Sequence, residues 1–517
     1  MVIKSVKKKN FALNMLFAVL LQFATLIFPL ITAPHLSLVL GVEKLGRVNF
    51  SLSVATWFGV FAAFGILAYG VKEVAKVRDD KEKLSKLFNE LLVIRIVVSV
   101  LTIIVYLPVI LITPRFSSEF WLFLVQGSIL IFNIFSLDWF FQGVEDFGFV
   151  TIRSLIFKTI SVIAIFIVIT QEADYILFAA ISIFALSFSN ILNMFYVRKH
   201  ISYNFKRLNL KQHLRSLSIF FFSSLVVSIY VIFDQILLGF FLGDNAVGLF
   251  VRARMINSIG LGIILAIGNV FLPRLNNYFI TQPKRYKELL KTSLNVILLI
   301  AFPIAIGLFI LAPQINYLFG AGEFEGADIL LRIIAFTVVI VTVGTWIYQQ
   351  RLIPMQLEKI GLIIQIIIAA VSLILNLILI NVIGIIGVAI AWISAEITGS
   401  FVSLIYAYKK DRINVFNINQ IKIIGAGILM GGMLFLISSL LPVNWFSIFL
   451  TIGIAGILYV LVLVIIREST IKFAFQERKS LLKSKQLDKD VETDNQNESE
   501  SSEEDNENSA DKNKTLQ

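Results

Sequence analysis

Residues 360–408 read IGLIIQIIIAAVSLILNLILINVIGIIGVAIAWISAEITGSFVSLIYAY, with Glu396 as the one charged side chain. A bilayer core accepts about 20 apolar residues in helical form. The stretch is therefore two membrane spans, at about 360–381 and 384–408. The same reading outward gives spans at about 11–33, 47–70, 91–113, 119–141, 150–170 and 175–197 before it. Between these and residue 360 lie 216–242, 247–272, 292–319 and 329–350, and after residue 408 come 421–441 and 444–466. The fold class is an all-α integral membrane protein of about fourteen transmembrane helices.

Composition agrees and excludes much else. Of 517 residues, 57% are hydrophobic and 15% charged, far from the balance of a soluble globular chain. Cysteine is absent, which removes disulfides and thiolate metal sites. The three histidines, His35, His200 and His213, match no ligand spacing, so no metal is expected. No phosphate-cradling glycine loop or nucleophile elbow occurs, so neither an enzyme nor a bound cofactor is expected.

The net charge of +11 is segregated. Residues 488–511 carry eleven acids and one base, Lys489, which leaves +21 on the rest of the chain. The bases lie in loops between apolar spans, which points to membrane topology and not to nucleic acid. Loops with Lys72, Lys76, Arg78, Lys81, Arg198, Lys199, Lys206, Lys284, Arg285, Lys409 and Lys410 alternate with loops whose only bases are Lys44, Arg47 and Arg115. The excess of positive charge on inner loops places both termini in the cytoplasm of a multi-pass cell membrane protein. The tail from residue 467, amphipathic and then acidic, is expected to be disordered.

The chain also repeats. Leu40–Gly46, LGVEKLG, matches Leu242–Gly248, LGDNAVG, at an offset of 202; KEKLSKLFNELL from Lys81 recurs as KRYKELLKTSL from Lys284; and WFFQ from Trp139 recurs as WIYQ from Trp346. Six spans restore orientation, so the repeat is parallel, about an axis along the membrane normal. The expected organisation is a six-helix lobe at 1–215, a second at 216–412, an extra helix pair at 413–466 and a cytoplasmic tail at 467–517.

Ionisable groups inside spans are costly and usually face a cavity or a partner. Glu396 shares a stripe with Trp392, Gly399, Ser400 and Ser403, and Asp234 one with Tyr230 and Ser223. Lys158 is flanked by Ser154 and Ser161, Arg95 aligns with Ser99, Thr102 and Tyr106, and Arg254 with Asn257, Ser258 and Gly262. Gln365, Ser372 and Asn376 add an uncharged stripe, and Asp138 sits near the end of span four. Arg254, Lys158, Arg95, Asn257, Asn376 and Gln365 are thus candidates for substrate contact, with Glu396, Asp234 and Asp138 as candidates for ion coupling. Pairing that glues helices together is the plain alternative for each. Arg252 shares its face with Met255, Ile256 and Ile259 and reads as lipid-facing. Trp139, Tyr106, Tyr230 and Trp392 are available to stack on sugar rings. A cavity of this kind suits a large, polar, partly anionic solute.

The stretches PLITAPHLSLVLGVEKLGRVNFSLS, YGVKEVAKVRDDKEKLSKLFNELL and LDWFFQGVEDFGFVTIRS resemble the Wzx-type polysaccharide repeat-unit flippases of the multidrug/oligosaccharidyl-lipid/polysaccharide exporter superfamily, over roughly residues 10–410. The resemblance implies two six-helix lobes around a central cavity and alternating access. It implies flipping of an undecaprenyl-pyrophosphate-linked oligosaccharide from the cytoplasmic to the outer leaflet for surface polysaccharide biosynthesis. The acids Glu396 and Asp234, deepest in the expected bilayer, point to coupling with a proton or sodium gradient, and membrane lipids and polysaccharide polymerase machinery are expected partners. Many members have twelve spans; the extra pair is more like the lipid II flippases of the superfamily. Lipid II flipping, multidrug or ion antiport, and a scaffold for polymer-assembly enzymes stay open as alternatives.

Overall fold

The structure, a computed structural model, describes residues 11–206 and 208–468; beyond Glu468 the expected tail lies outside the described residues. Every regular element among those residues is helical. Twelve helical stretches are long and apolar enough to cross a membrane. The two longest, Leu20–Val77 and Glu358–Asp411, each hold two expected spans. The first breaks at Gly41 (φ 67°, ψ 179°) and the second at Ile383 and Gly384 (φ 62°, ψ −138°). Beyond the second break the chain doubles back, so that a Cβ on Gly387 would overlap the Leu379 carbonyl. The fourteen spans of the sequence are therefore all present as helix.

Gly243, at the 202-residue offset from Gly41, adopts φ 85° and ψ −176°. Positive φ with extended ψ is open only to glycine. The two copies of the repeat thus bend the chain by the same device at the same point. A shared contact joins them: a Cβ on Gly46 would overlap the Asp244 carbonyl, and one on Gly248 would overlap the carbonyl of Val42. Gly46 and Gly248 are equivalent under the offset, as are Val42 and Asp244, so the halves meet here through a pseudo-twofold contact between backbones.

Several helix ends are built from the sequence in plain view. Asp80 caps the helix Lys81–Ile112 by accepting from the backbone N–H groups of Glu82 and Lys83. Its carboxylate is held below the usual range, chiefly by the Lys83 side chain. Asn417 and Asn444 cap the last two spans in the same way. Other breaks carry no such signal. Span four stops at Phe132, passes through a short 3-10 turn and resumes at Asp138; span seven is interrupted at Ile232.

The packing inverts the soluble pattern, as a bilayer solvent requires. On Lys81–Ile112, Leu101, Ile104, Val105 and Leu111 are each more than half exposed, whereas Arg95, Ser99, Thr102 and Tyr106 are buried. Small residues let helices approach. Gly70 lies under Trp139 and Gly127 under Tyr106, and the Tyr106 hydroxyl donates to the Phe123 carbonyl at 2.6 Å. Trp139 is 1% and Tyr106 2% exposed, so neither is available to a sugar; both fill the interior of the first half. The two extra spans pack on Pro283–Ile310: Gly427 and Gly431 sit against Ile306, and the Tyr459 hydroxyl donates to the Leu299 carbonyl.

Candidate functional site

A cavity of about 260 Å³ opens within the C-terminal half. Arg254, Gln365, Trp392, Glu396, Ser400 and Tyr230 line it. Its walls exist because small residues draw three spans together. Gly399 sits against Ile368, Gly344 against Ser400, and the Ser400 hydroxyl donates to the Ile340 carbonyl at 3.0 Å. Glu396 reaches the cavity because the Ile383–Gly384 turn starts a new helix running back past Gln365.

Arg254 is the cation of the site. Its guanidinium carbon lies 4.8 Å over the Trp392 ring, and its Nη1 makes no hydrogen bond. Asp234 and Glu396 both act on it electrostatically. Asp234 is fully buried behind it and accepts from the Asn376 amide at 2.9 Å, while Asp234 Oδ2 has no hydrogen-bond partner. Asn376 also reaches the Ser372 hydroxyl at 3.2 Å. The break at Ile232 puts Asp234 in the first turn of Phe233–Leu242, where free N–H groups favour a carboxylate.

Of the residues singled out from sequence, Arg254, Gln365 and Glu396 come together in this cavity, with Asp234 and Asn376 directly behind it. Asn257, fully buried on the same helix, donates to the Thr337 hydroxyl at 2.8 Å and does not line the cavity. The others lie in the N-terminal half. Lys158 donates to the Thr25 hydroxyl at 2.7 Å. Arg95 donates its Nε–H to the Asn133 carbonyl at 2.7 Å, in the gap where span four breaks. Asp138 lies 3.8 Å from Arg153, which also donates to Asn193.

Two arginines, Arg252 and Arg153, are buried where the sequence pattern does not place them. Arg252 does not face lipid: it is 5% exposed, donates to the Ser37 hydroxyl and lies over the Phe324 ring at 4.2 Å. Apolar neighbours on a helix mark lipid and helix–helix packing alike. Arg153, buried in span five, had as its signal the same one that marked Lys158, a charge inside an apolar run.

The helical bundle that holds this charged cavity has the fold of the multidrug/oligosaccharidyl-lipid/polysaccharide exporter structures. The lipid II flippase MurJ, in an inward closed conformation, superposes with a TM-score of 0.72 at 17% identity, covering 89% of this chain and 100% of that one. An inward-facing multidrug MATE transporter superposes with a TM-score of 0.60 at 16% identity, covering 75% and 94%. A family model described as polysaccharide biosynthesis protein matches residues 11–279, and the chain belongs to that family. It is similar to a putative O-antigen transporter of Shigella dysenteriae, 24% identical over 67% of this chain and 87% of the relative. A second putative O-antigen transporter, from Escherichia coli K12, is 25% identical over 62% and 78%.

Proposed function

We propose that the chain flips an undecaprenyl-pyrophosphate-linked oligosaccharide repeat unit from the inner to the outer leaflet of the cytoplasmic membrane, by alternating access between lobes at 1–215 and 216–412. The observation that carries this reading is Arg254. It is a guanidinium with an unspent donor, set over an aromatic ring in a cavity with amide, hydroxyl and carboxylate groups. Guanidinium binds phosphate oxygens through paired hydrogen bonds, and the polar and aromatic walls suit sugar. The O-antigen transporters among its relatives support a saccharide on a lipid carrier.

Asp234 and Glu396 flank the cation and are the groups we assign to coupling with a proton or sodium gradient. In the proposed orientation both termini are cytoplasmic and the Gly41–Gly243 end faces outward. Polymerase machinery would receive the product there.

The test is surface polymer in a flippase-null strain that carries the chain. Rescue by the native chain and its loss with Arg254→Ala at equal membrane abundance are the expected results. Drug resistance conferred without any polymer would favour the multidrug reading.

A further inference from the structure

Arg252 and Arg254 are two residues apart and therefore project about 200° apart on one helix. Arg254 faces the cavity in the C-terminal half. Arg252 faces a second cavity, of about 270 Å³, between the halves. Thr32, Leu36, Asn49 and Phe178 of the first half and Met255 and Phe324 of the second wall it. Gly248 also lines it, so it lies directly inside the contact between Val42 and Gly248 that closes this end of the bundle.

Arg252 is in an unusual position for a cation. Among the described residues no carboxylate pairs with it; its hydrogen-bond partner is the Ser37 hydroxyl and its cover is the Phe324 ring. Ser37 itself is held from both halves, donating toward the Ala33 carbonyl at 2.7 Å or the Phe319 carbonyl at 3.0 Å. A guanidinium has five N–H donors, and one is spent. A buried cation without a counter-charge is expensive, and a helix–helix contact at this position needs no charge at all. The side chain is placed to receive an anion that the protein does not supply.

We infer that Arg252 and Ser37 form a second anion station that takes a phosphate-ester oxyanion. It is separate from the Arg254 cavity and lies on the opposite face of the same helix. On the proposed function, the diphosphate held at Arg254 passes to Arg252 when the Gly46–Gly248 end opens, and so moves from the cavity of the C-terminal half to the cavity between the halves. The same chemistry is offered by a bilayer phospholipid headgroup, and binding distinguishes the two sources.

The experiment measures binding of farnesyl pyrophosphate and of phosphatidylglycerol to the purified full chain in detergent, by native mass spectrometry. The background is Arg254→Ala, which removes the first station. Farnesyl pyrophosphate binding is expected to persist in that background and to weaken about tenfold or more on adding Arg252→Met, the loss of one charge-assisted contact. Arg252→Lys, which keeps the buried charge, is expected to retain part of it and guards against misfolding of the Met variant. Selective binding of phosphatidylglycerol would support the station and assign it to the bilayer, leaving the transport reading untouched. Unchanged affinity for both ligands in Arg252→Met, with the protein still monodisperse, would overturn the proposal and leave Arg252 as a structural tie to Ser37.

Discussion

Arg47 of the N-terminal half donates its Nε–H to Asp244 of the C-terminal half at 3.0 Å. Arg115 reaches the other oxygen of the same carboxylate at 2.7 Å, and Arg47 also pairs with Glu119 and Glu43. The bases that stood out against the charge segregation of the loops, Arg47 and Arg115, thus meet at one carboxylate. They lie beside the Gly46–Gly248 contact and, on the proposed alternating access, latch it shut; Asp244→Asn weakens both pairs at once. Because the groups are partly exposed, each pair contributes only about 1 kcal/mol or less, enough to shift a balanced equilibrium several-fold. Spin labels at Cys residues replacing Lys44 and Asn245, in a chain with no native cysteine, are expected to show a longer-distance population in Asp244→Asn. An unchanged distance distribution would remove the latch from the account.

Closure at this end depends on two missing side chains. Any Cβ on Gly46 overlaps the Asp244 carbonyl, a backbone atom that cannot swing aside. Gly59, on the same helix, has as its nearest neighbour a Leu130 methyl at 4.0 Å. Gly46→Val is therefore expected to abolish polymer rescue at normal membrane abundance, while Gly59→Ala is neutral. The comparison is read from surface polymer and membrane immunoblots of the two strains.

At the opposite end, Arg351 is fully buried and bonds Asp411 through two contacts, Nε at 3.0 Å and Nη2 at 2.6 Å. This bidentate pair ties the π-helical end of span ten to the end of span twelve. Removing one partner strands a buried charge, at about 3–5 kcal/mol. Asp411→Asn is expected to lower the unfolding temperature in detergent substantially. The double variant Arg351→Met/Asp411→Asn is expected to recover part of the loss, as measured by differential scanning fluorimetry.

Glu396 faces Arg254 across the cavity, and Asp234 lies behind it. If they handle the coupling ion, Glu396→Gln should slow gradient-driven turnover far more than it weakens substrate binding, and Asp234→Asn should do the same. Transport by each variant is followed in vesicles with an imposed proton or sodium gradient. Equal loss of binding and turnover would place Glu396 in the substrate site instead.

The fold was legible because its signals are covalent and periodic. Span length and the repeated Leu-Gly motif require no knowledge of packing, and Gly41 and Gly243 proved to hold the same glycine-only conformation. The cavity was half legible. Stripes of small and polar residues picked out Glu396, Gln365 and Arg254, because close helix contact requires Gly399, Ser400 and their like. Helix rotation was not legible wherever the neighbours were apolar. In a membrane protein Met255 and Ile256 look the same whether they meet lipid or another helix, and so Arg252 was turned outward. Breaks without glycine or proline, at Ile232 and at Phe132–Asp138, were equally silent, since tertiary contacts stabilise them. Proline proved no guide either: Pro108, Pro273 and Pro303 all lie inside continuous helices.

The most direct measurement is flipping itself. Purified chain is reconstituted into proteoliposomes with a fluorescent undecaprenyl-pyrophosphate saccharide, and an impermeant quencher reports the leaflet. The native chain is expected to move the probe between leaflets, Arg254→Lys to do so at a reduced rate, and Arg254→Ala not at all. An Arg254→Ala protein that is folded and flips the probe at the native rate would contradict the assignment of the cavity as the pyrophosphate site.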